Sequence, residues 1–395
     1  MPFAHVTPDL QDDLVRLRRD LHREPELGLE LPRTQEKVLA ALDGLPLKIE
    51  LGRSLSSVTA VLRGSSPGPA VLLRADMDAL PLTERSGLEY ASRFADRMHA
   101  CGHDLHTAML VGAARILADA EFAGSVIFMF QPGEEGAGGA RHMIEEGVLD
   151  AAGTRPVAAY GLHVASSFLP SGLFMTRSGP LMAAADELHV TVRGAGGHGS
   201  QPHRAKDPIP ATCEMVTALQ TLATRSFDAF DPVVITVGSI HAGTAANIIP
   251  AEARLELTIR SFSREAHARV LEGVDRVLRG IAAAHGLDVE IDHVMGYPVT
   301  VNTAAEAEFA AATAGDLYGP ERFVWGPNPL TPAEDFSYVL EEVPGAFVFL
   351  GACPPDRDPA TAPFNHAPDA VFDDGVLADG AGLLAELALR RLASA

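Results

Sequence analysis

Apolar positions fall into two rhythms along the first 165 residues. From Leu10 to Leu21, and again from Thr107 to Ala118, the pattern is that of helices. Val58–Leu62, Ala70–Leu73, Ser125–Phe130 and Val157–Leu162 are short apolar runs of the kind that forms buried strands; Gly, Pro and Ser bound the first two. Strands alternating with helices predict an α/β fold with a mostly parallel sheet covered by helices on both faces.

The texture then changes. Glu187–Val192 alternates like a half-exposed strand, and Pro208–Thr224 follows as a helix. Val233–Ser239 and Ala251–Ile259 predict two more strands joined by a Gly-containing turn. Ser263–His285 predicts a long helix and Leu287–Asp292 a final strand. The order β-α-β-β-α-β is that of the split βαβ, ferredoxin-like α+β unit. After Pro298 the earlier style resumes, with Ala346–Leu350 a buried strand and Gly375–Ala393 a closing helix. The expected organisation is a catalytic domain over 1–183 and 297–395 with a smaller domain inserted at 184–296. The chain contains no internal repeat and no low-complexity tract.

Composition narrows the class. The chain has 395 residues, 47% of them hydrophobic, which is ample for a buried core and more than one domain. No apolar run reaches the roughly 18 residues that span a bilayer. Met1 to Asp20 is amphipathic and partly acidic, unlike a secretory signal, so a cytoplasmic location is expected. The net charge of −21, from 52 acidic and 31 basic residues, argues against nucleic acid or an anionic membrane as partner. Three cysteines, Cys101, Cys213 and Cys353, make no disulfide framework.

Four segments carry candidate chemistry. They are His99-Ala100-Cys101-Gly102-His103-Asp104-Leu105-His106 before a predicted helix and Gln131-Pro132-Gly133-Glu134-Glu135-Gly136 after a predicted strand. Gly161-Leu162-His163 closes another predicted strand, and Asn365-His366-Ala367-Pro368 lies in a loop ahead of the last helix. In an open α/β sheet, ligand sites form at the carboxyl ends of strands, and that shared location groups them. Taken singly, each histidine reads as a satisfied core residue, the glutamates as a solvated helix start and Cys101 as a small buried hydrophobe. Taken together, Cys101, His103, Glu135, His163 and His366 suffice for two divalent ions if one residue bridges, and a soft thiolate can bridge. A single zinc would need only three ligands and an open position. In either case Glu134 adjoins a ligand and suits a general base acting on the attacking water. The rival is a cysteine–histidine nucleophile at Cys101, which leaves Glu134, Glu135, His163 and His366 without a role.

At these residues the chain resembles the aminoacylase–carboxypeptidase metallopeptidases. The branch it is most similar to holds hippurate hydrolases, bacterial N-acyl-amino-acid amidohydrolases and plant auxin-conjugate hydrolases. The resemblance runs from Arg18-Arg19-Asp20-Leu21-His22-Arg23-Glu24-Pro25-Glu26 and Arg74-Ala75-Asp76-Met77-Asp78-Ala79-Leu80-Pro81, through Met98 to Asp104, to Glu334-Asp335-Phe336-Ser337. It is most specific where Cys-Gly-His-Asp combines with Pro-Gly-Glu-Glu-Gly. It implies hydrolysis of the amide bond of N-acyl amino acids, or of dipeptides in a related mode, by two ions (zinc, manganese, cobalt or nickel) with Cys101 between them. Glu134 falls on the general base and Asp78 on a residue that supports a ligand, while Asp76 has no clear assignment. Within the inserted domain the resemblance places His198 on the scissile carbonyl oxygen, and Asn247 and Arg260 on the substrate's free carboxylate. It also implies closure over the substrate and a homodimer or higher oligomer through that domain; pairing of Val233–Ser239 as an edge strand would supply the contact. Two departures from the branch flank the substrate region: Leu330-Thr331-Pro332-Ala333, and Ala367-Pro368-Asp369 after His366.

Overall fold

Helical periodicity near the N-terminus resolves, in a computed structural model describing residues 8–394, into α1 (Pro8–Arg23), whose inner face buries Leu14, Arg18, Leu21 and His22. Helix α2 (Pro32–Leu42) opens on a proline, at a position where no backbone donor is needed. There follow β1 (Leu47–Leu51), β2 (Val58–Arg63), β3 (Ser66–Asp76), α3 (His103–Ala118), β4 (Ala123–Gln131), α4 (Gly139–Glu145), β5 (Pro156–Pro170), β6 (Phe174–Thr176) and β7 (Gly179–Met182). The middle of the chain forms β8 (Ala184–Arg193), β9 (Gly197–His198), α5 (Pro208–Arg225), β10 (Val233–Ala242), β11 (Ile248–Ile249), β12 (Glu252–Ser261), α6 (Arg264–Ala284), β13 (Asp288–Tyr297) and β14 (Thr300–Asn302). Helix α7 (Ala304–Tyr318), β15 (Phe323–Trp325), α8 (Ser337–Glu342), β16 (Gly345–Cys353) and α9 (Leu377–Ala393) complete it.

Two compact units emerge. The first holds the chain up to Leu181, Val301–Asn328 and everything from Asp335 onward; the second holds Met182–Thr300 and Pro329–Glu334. The first is built on an eight-stranded sheet of order β1-β2-β4-β3-β5-β16-β6-β15. Its centre is parallel, β4 with β3, β3 with β5 and β5 with β16. The β1–β2, β2–β4 and β16–β6 pairs are antiparallel. Every residue of β16 is buried, as are Ala70–Asp76 of β3, so these strands show no in–out alternation. That is the signature of a sheet covered on both faces. Helix α3 is correspondingly buried around almost its whole circumference, and Leu105, Met109, Leu383 and Leu387 of α3 and α9 join one core with Val71, Leu73, Phe128 and Val348 of the sheet.

One expectation is corrected here. His163 does not close its strand: β5 continues to Pro170, and His163 sits in its middle, opposite Phe349 of β16. The polar pair Ser166–Ser167 lies within β5 with both side chains buried, Ser166 satisfied by Asn365 and the Pro363 carbonyl. The closing helix also begins later than expected, at Leu377 after a short 3₁₀ turn.

In the second unit, β10-β12-β8-β13 form an all-antiparallel sheet, the strand order of the ferredoxin-like unit expected from the sequence. Along β12, Ala253, Leu255, Leu257 and Ile259 are buried while Arg254, Glu256 and Thr258 face water. The inward set packs with Met215 and Leu219 of α5 and Val270, Val274 and Leu278 of α6. Asp207 and Ser263 cap these helices, each accepting from a backbone amide of the first turn. Strands β10 and β13 are the sheet's edges.

Candidate metal centre

The order β4-β3-β5 brings three strands side by side, and their register aligns Asp76 with Gln131 and Arg74 with both Met129 and Gly161. The loop after β4 delivers Glu134 and Glu135, β5 delivers His163, and the N-terminus of α3 delivers Cys101 and His103. Gly102 between those two has a φ of 87°, and a Cβ there would lie 2.3 Å from Cγ2 of Val164. Only glycine permits so sharp a turn against β5. His366 comes from the loop before α9, itself with a positive φ of 73°, its amide bonded to the Ala100 carbonyl. Asn365 clamps that loop: its amide donates to the carbonyls of Cys101 and Val164, and its oxygen accepts from the Ser166 amide. The sequence reading quoted Asn365 only as a neighbour of His366.

The five expected ligands converge. The Cys101 sulfur lies 3.4 Å from Nε2 of His163 and 3.3 Å from Nε2 of His366. Oε1 of Glu135 is 3.2 Å from His366 Nε2 and 3.9 Å from His103 Nε2. Two groups of mutually close donor atoms result, Cys101–His103–His163 and Cys101–Glu135–His366, and Cys101 is common to both. Glu134 falls in a third group with His103 and Glu135. A thiolate shared by two triads is the arrangement in which a soft donor bridges two cations.

Protonation divides the donors: His163 is held neutral, while Cys101, His103 and His366 hold protons that a bound cation would displace. Nδ1 of His163 donates to the Val164 carbonyl at 2.8 Å, which leaves the Nε2 lone pair directed at the cluster. Burial, reinforced by His106, keeps this imidazole neutral by holding its pKa well below the usual value. Burial and the neighbouring Glu135 push the Cys101 thiol up, so a cation is what would ionise it. His366, bonded to Cys101 and Glu135, is pushed up to about 10. Both ring nitrogens of His103 are buried without a well-formed hydrogen bond. Buried polar atoms left this way are rare and costly, and a bound cation accounts for them.

Asp78 and Asp76 separate clearly. The two Asp78 carboxylate oxygens accept from the backbone amides of Glu134 and Glu135 at 2.8 and 3.0 Å, and Oδ1 is 3.7 Å from Nδ1 of His103. Asp78 therefore fixes both glutamates and faces the rear nitrogen of His103. Asp76 binds Nδ1 of His106 at 2.6 Å and Nη1 of Arg74 at 2.6 Å, and its Oδ2 is also 3.7 Å from Nε2 of His103. With Nε2 of His106 accepting from the Val164 amide, both nitrogens of that ring are engaged, which removes His106 as a donor. Arg74 extends the network to Gln131 and Asp335, and Asp335 also receives the Ala140 amide. Arg74, Asp76 and Asp335 all lie in segments that carry the family resemblance, but nothing in the sequence assigned this anchor a role.

In the second unit, His198 and Asn247 are brought together by the β9–β11 pair, where Ile248 aligns with His198 and the Gly199 amide binds the Asn247 carbonyl. Nδ1 of His198 accepts from the Ser200 amide at 3.1 Å, so the ring's proton sits on Nε2, free to be donated. Arg260 lies on β12 between Val234 and Ala185, half-buried; burial lowers its pKa and Asp186 opposes that.

Residues 72–390 match peptidase family M20/M25/M40. A hippurate hydrolase of Campylobacter jejuni is 36% identical over 386 residues, covering 97% of this chain and 98% of its own. Thermostable carboxypeptidase 2 of Saccharolobus solfataricus is 36% identical over 388 residues, 97% and 96% of the two chains. Among solved structures, the YXEP protein of Bacillus subtilis, described as a dinuclear metal-binding peptidase, superposes with a TM-score of 0.84 at 33% identity, covering 98% of this chain and all of that one.

Proposed function

Because this chain belongs to peptidase family M20/M25/M40, we propose that it is a two-metal amidohydrolase cleaving N-acyl amino acids to a carboxylic acid and a free amino acid. The observation that carries the reading is Cys101 shared by two donor triads, with Glu134 one residue from Glu135. Cys101, His103 and His163 would hold one ion and Cys101, Glu135 and His366 the other. When bound, such a pair lowers the pKa of water and polarises a carbonyl. Glu134 takes a proton from the attacking water and later delivers it to the amine nitrogen as the C–N bond breaks. Nε2–H of His198 donates to the carbonyl oxygen as negative charge develops there, and Asn247 and Arg260 hold the free carboxylate, Arg260 through its planar fork.

The thiolate favours zinc, while the imidazoles and carboxylate also suit manganese, cobalt or nickel. The second unit serves as the dimer interface, through its open-edged strand β10. Light scattering is then expected to return twice the chain mass; an active monomer would overturn the assembly. Cys101, Cys213 and Cys353 are all free thiols, which accords with a reducing, cytoplasmic setting, and no described helix is long and apolar enough to cross a membrane.

Exhaustive chelation should abolish hydrolysis of N-acetyl and N-benzoyl amino acids, and about two equivalents of divalent metal per chain should restore it. Activity that survives chelation but is lost on alkylation would instead mark a cysteine hydrolase. Because one relative is named a carboxypeptidase, dipeptides belong in the panel; preference for them would shift the reading to a metallo-dipeptidase.

A further inference from the structure

We infer that Phe168, Phe349 and Phe364 form a subsite for an aryl acyl group, so that this enzyme selects aromatic N-acyl amino acids over N-acetyl ones. The inference rests on the reading of the site given above. Its first support is backbone conformation. Among the described residues, Phe168 and His366 are the non-glycine residues with positive φ, 52° and 73°. For a bulky ring that conformation is strained, and strain of this kind persists where the surroundings impose it, often at functional sites.

The surroundings of Phe168 are specific. Between the register pairs Ala165–Gly351 and Pro170–Cys353, the four residues Ser166–Leu169 of β5 have only Ala352 opposite them. The strand bulges, as strands do beside active sites where a side chain is re-aimed. The Phe168 amide is held by the Pro359 carbonyl at 2.8 Å, and Ser166 ties the bulge to the loop of Phe364 through the Pro363 carbonyl at 2.9 Å. That loop also carries His366.

The rings form a continuous path from a candidate ligand to the surface. The His163 ring centroid lies 5.4 Å from Phe349, Phe349 lies 6.3 Å from Phe168, and Phe168 lies 5.8 Å from Phe364. Phe349 is buried at 4% exposure, while Phe168 and Phe364 are 37% and 51% exposed. Two large rings held side by side in water, one of them by a strained backbone, offer apolar surface that a ligand would cover. The three rings supply no charged donor, so a carboxylate laid on them would be desolvated and unpaired. The uncharged acyl half of the substrate is what they accept. The ring pairs are tilted at 62° and 31°, and an aryl group would add to them by the edge-to-face or offset packing that aromatic rings prefer.

The test compares kcat/KM for N-benzoylglycine, N-acetylglycine and N-acetylphenylalanine in the wild type, Phe168→Ala, Phe364→Ala and Phe364→Trp. Phe364 is half-exposed, so its truncation leaves no buried cavity and the fold is retained. The wild type is expected to prefer the benzoyl substrate. Each alanine variant should lower the benzoyl-to-acetyl ratio about tenfold, and Phe364→Trp should keep it. A wild type that prefers N-acetylglycine, or a ratio unmoved in both alanine variants, overturns the subsite while leaving the amidohydrolase reading intact. A loss confined to N-acetylphenylalanine relative to N-acetylglycine also overturns it, because the rings would then serve the amino acid side chain. A wild type that cleaves none of the three removes both the functional reading and the subsite.

Discussion

Replacing Glu134 by Gln is expected to cut kcat by about 10²–10⁴ while the protein still binds its full complement of metal. The substitution is isosteric and spares the backbone contact that orients the residue, since the amide of Glu134, not its side chain, is bonded to Oδ1 of Asp78 at 2.8 Å. What it removes is a group able to take a proton and return it. The donor triads around Cys101 do not include Glu134, so metal content should not follow activity down. Metal analysis and steady-state kinetics on the same preparation separate the two effects. Wild-type turnover in Glu134→Gln would eliminate the general-base assignment, and loss of metal together with activity would move Glu134 into the ligand set.

The second large effect concerns stability. Arg18 and Asp104 are each fully buried, with Nε of Arg18 2.8 Å from Oδ2 of Asp104. His22 joins the same oxygen through Nδ1 at 2.7 Å, and Arg18 also binds Tyr90 and Asp374. Burial opposes ionisation of Asp104, but Arg18 and His22 override it and hold its carboxyl far below the usual range. Removing one member of such a set leaves charge buried without compensation, at a cost of about 3–5 kcal/mol. Asp104→Asn is therefore expected to lower the melting temperature by an amount on the order of 10 °C. Asp104 follows His103 directly, so the measurement is needed on metal-free protein as well as on the loaded enzyme. A double-mutant cycle with Arg18→Met and Asp104→Leu should show coupling, the pair costing much less than the sum of the single changes. Strict additivity, or a single variant as stable as the wild type, would contradict the argument.

The grouping of the candidate donors was largely legible in the sequence, because they come in short runs. Cys101 and His103 flank one glycine, Glu134 and Glu135 are adjacent, and each run stands beside a predicted element end. The strands around them were legible for a similar local reason: a strand buried on both faces needs an uninterrupted apolar run, as in Val71–Leu73. The true length of β5 was not legible, because Ser166 is satisfied by partners roughly 200 positions away in the chain, Pro363 and Asn365. Helix α2 was overlooked although Pro32 marks its start.

Sequence alone thus determined which side chains are available and which local elements carry them, since periodicity, turns and donor chemistry are properties of neighbouring residues. Tertiary structure decided which strands lie side by side, and so that Asp78 secures two glutamates while Asp76 is committed to Arg74 and His106. It also decided the imidazole tautomers of His163 and His198, each set by a single hydrogen-bond partner. The physical reason is common to all of these. Burial and hydrogen-bond satisfaction are settled by contacts between distant segments, and the sheet order that creates those contacts minimises exposed apolar surface over the whole unit rather than over any stretch of chain.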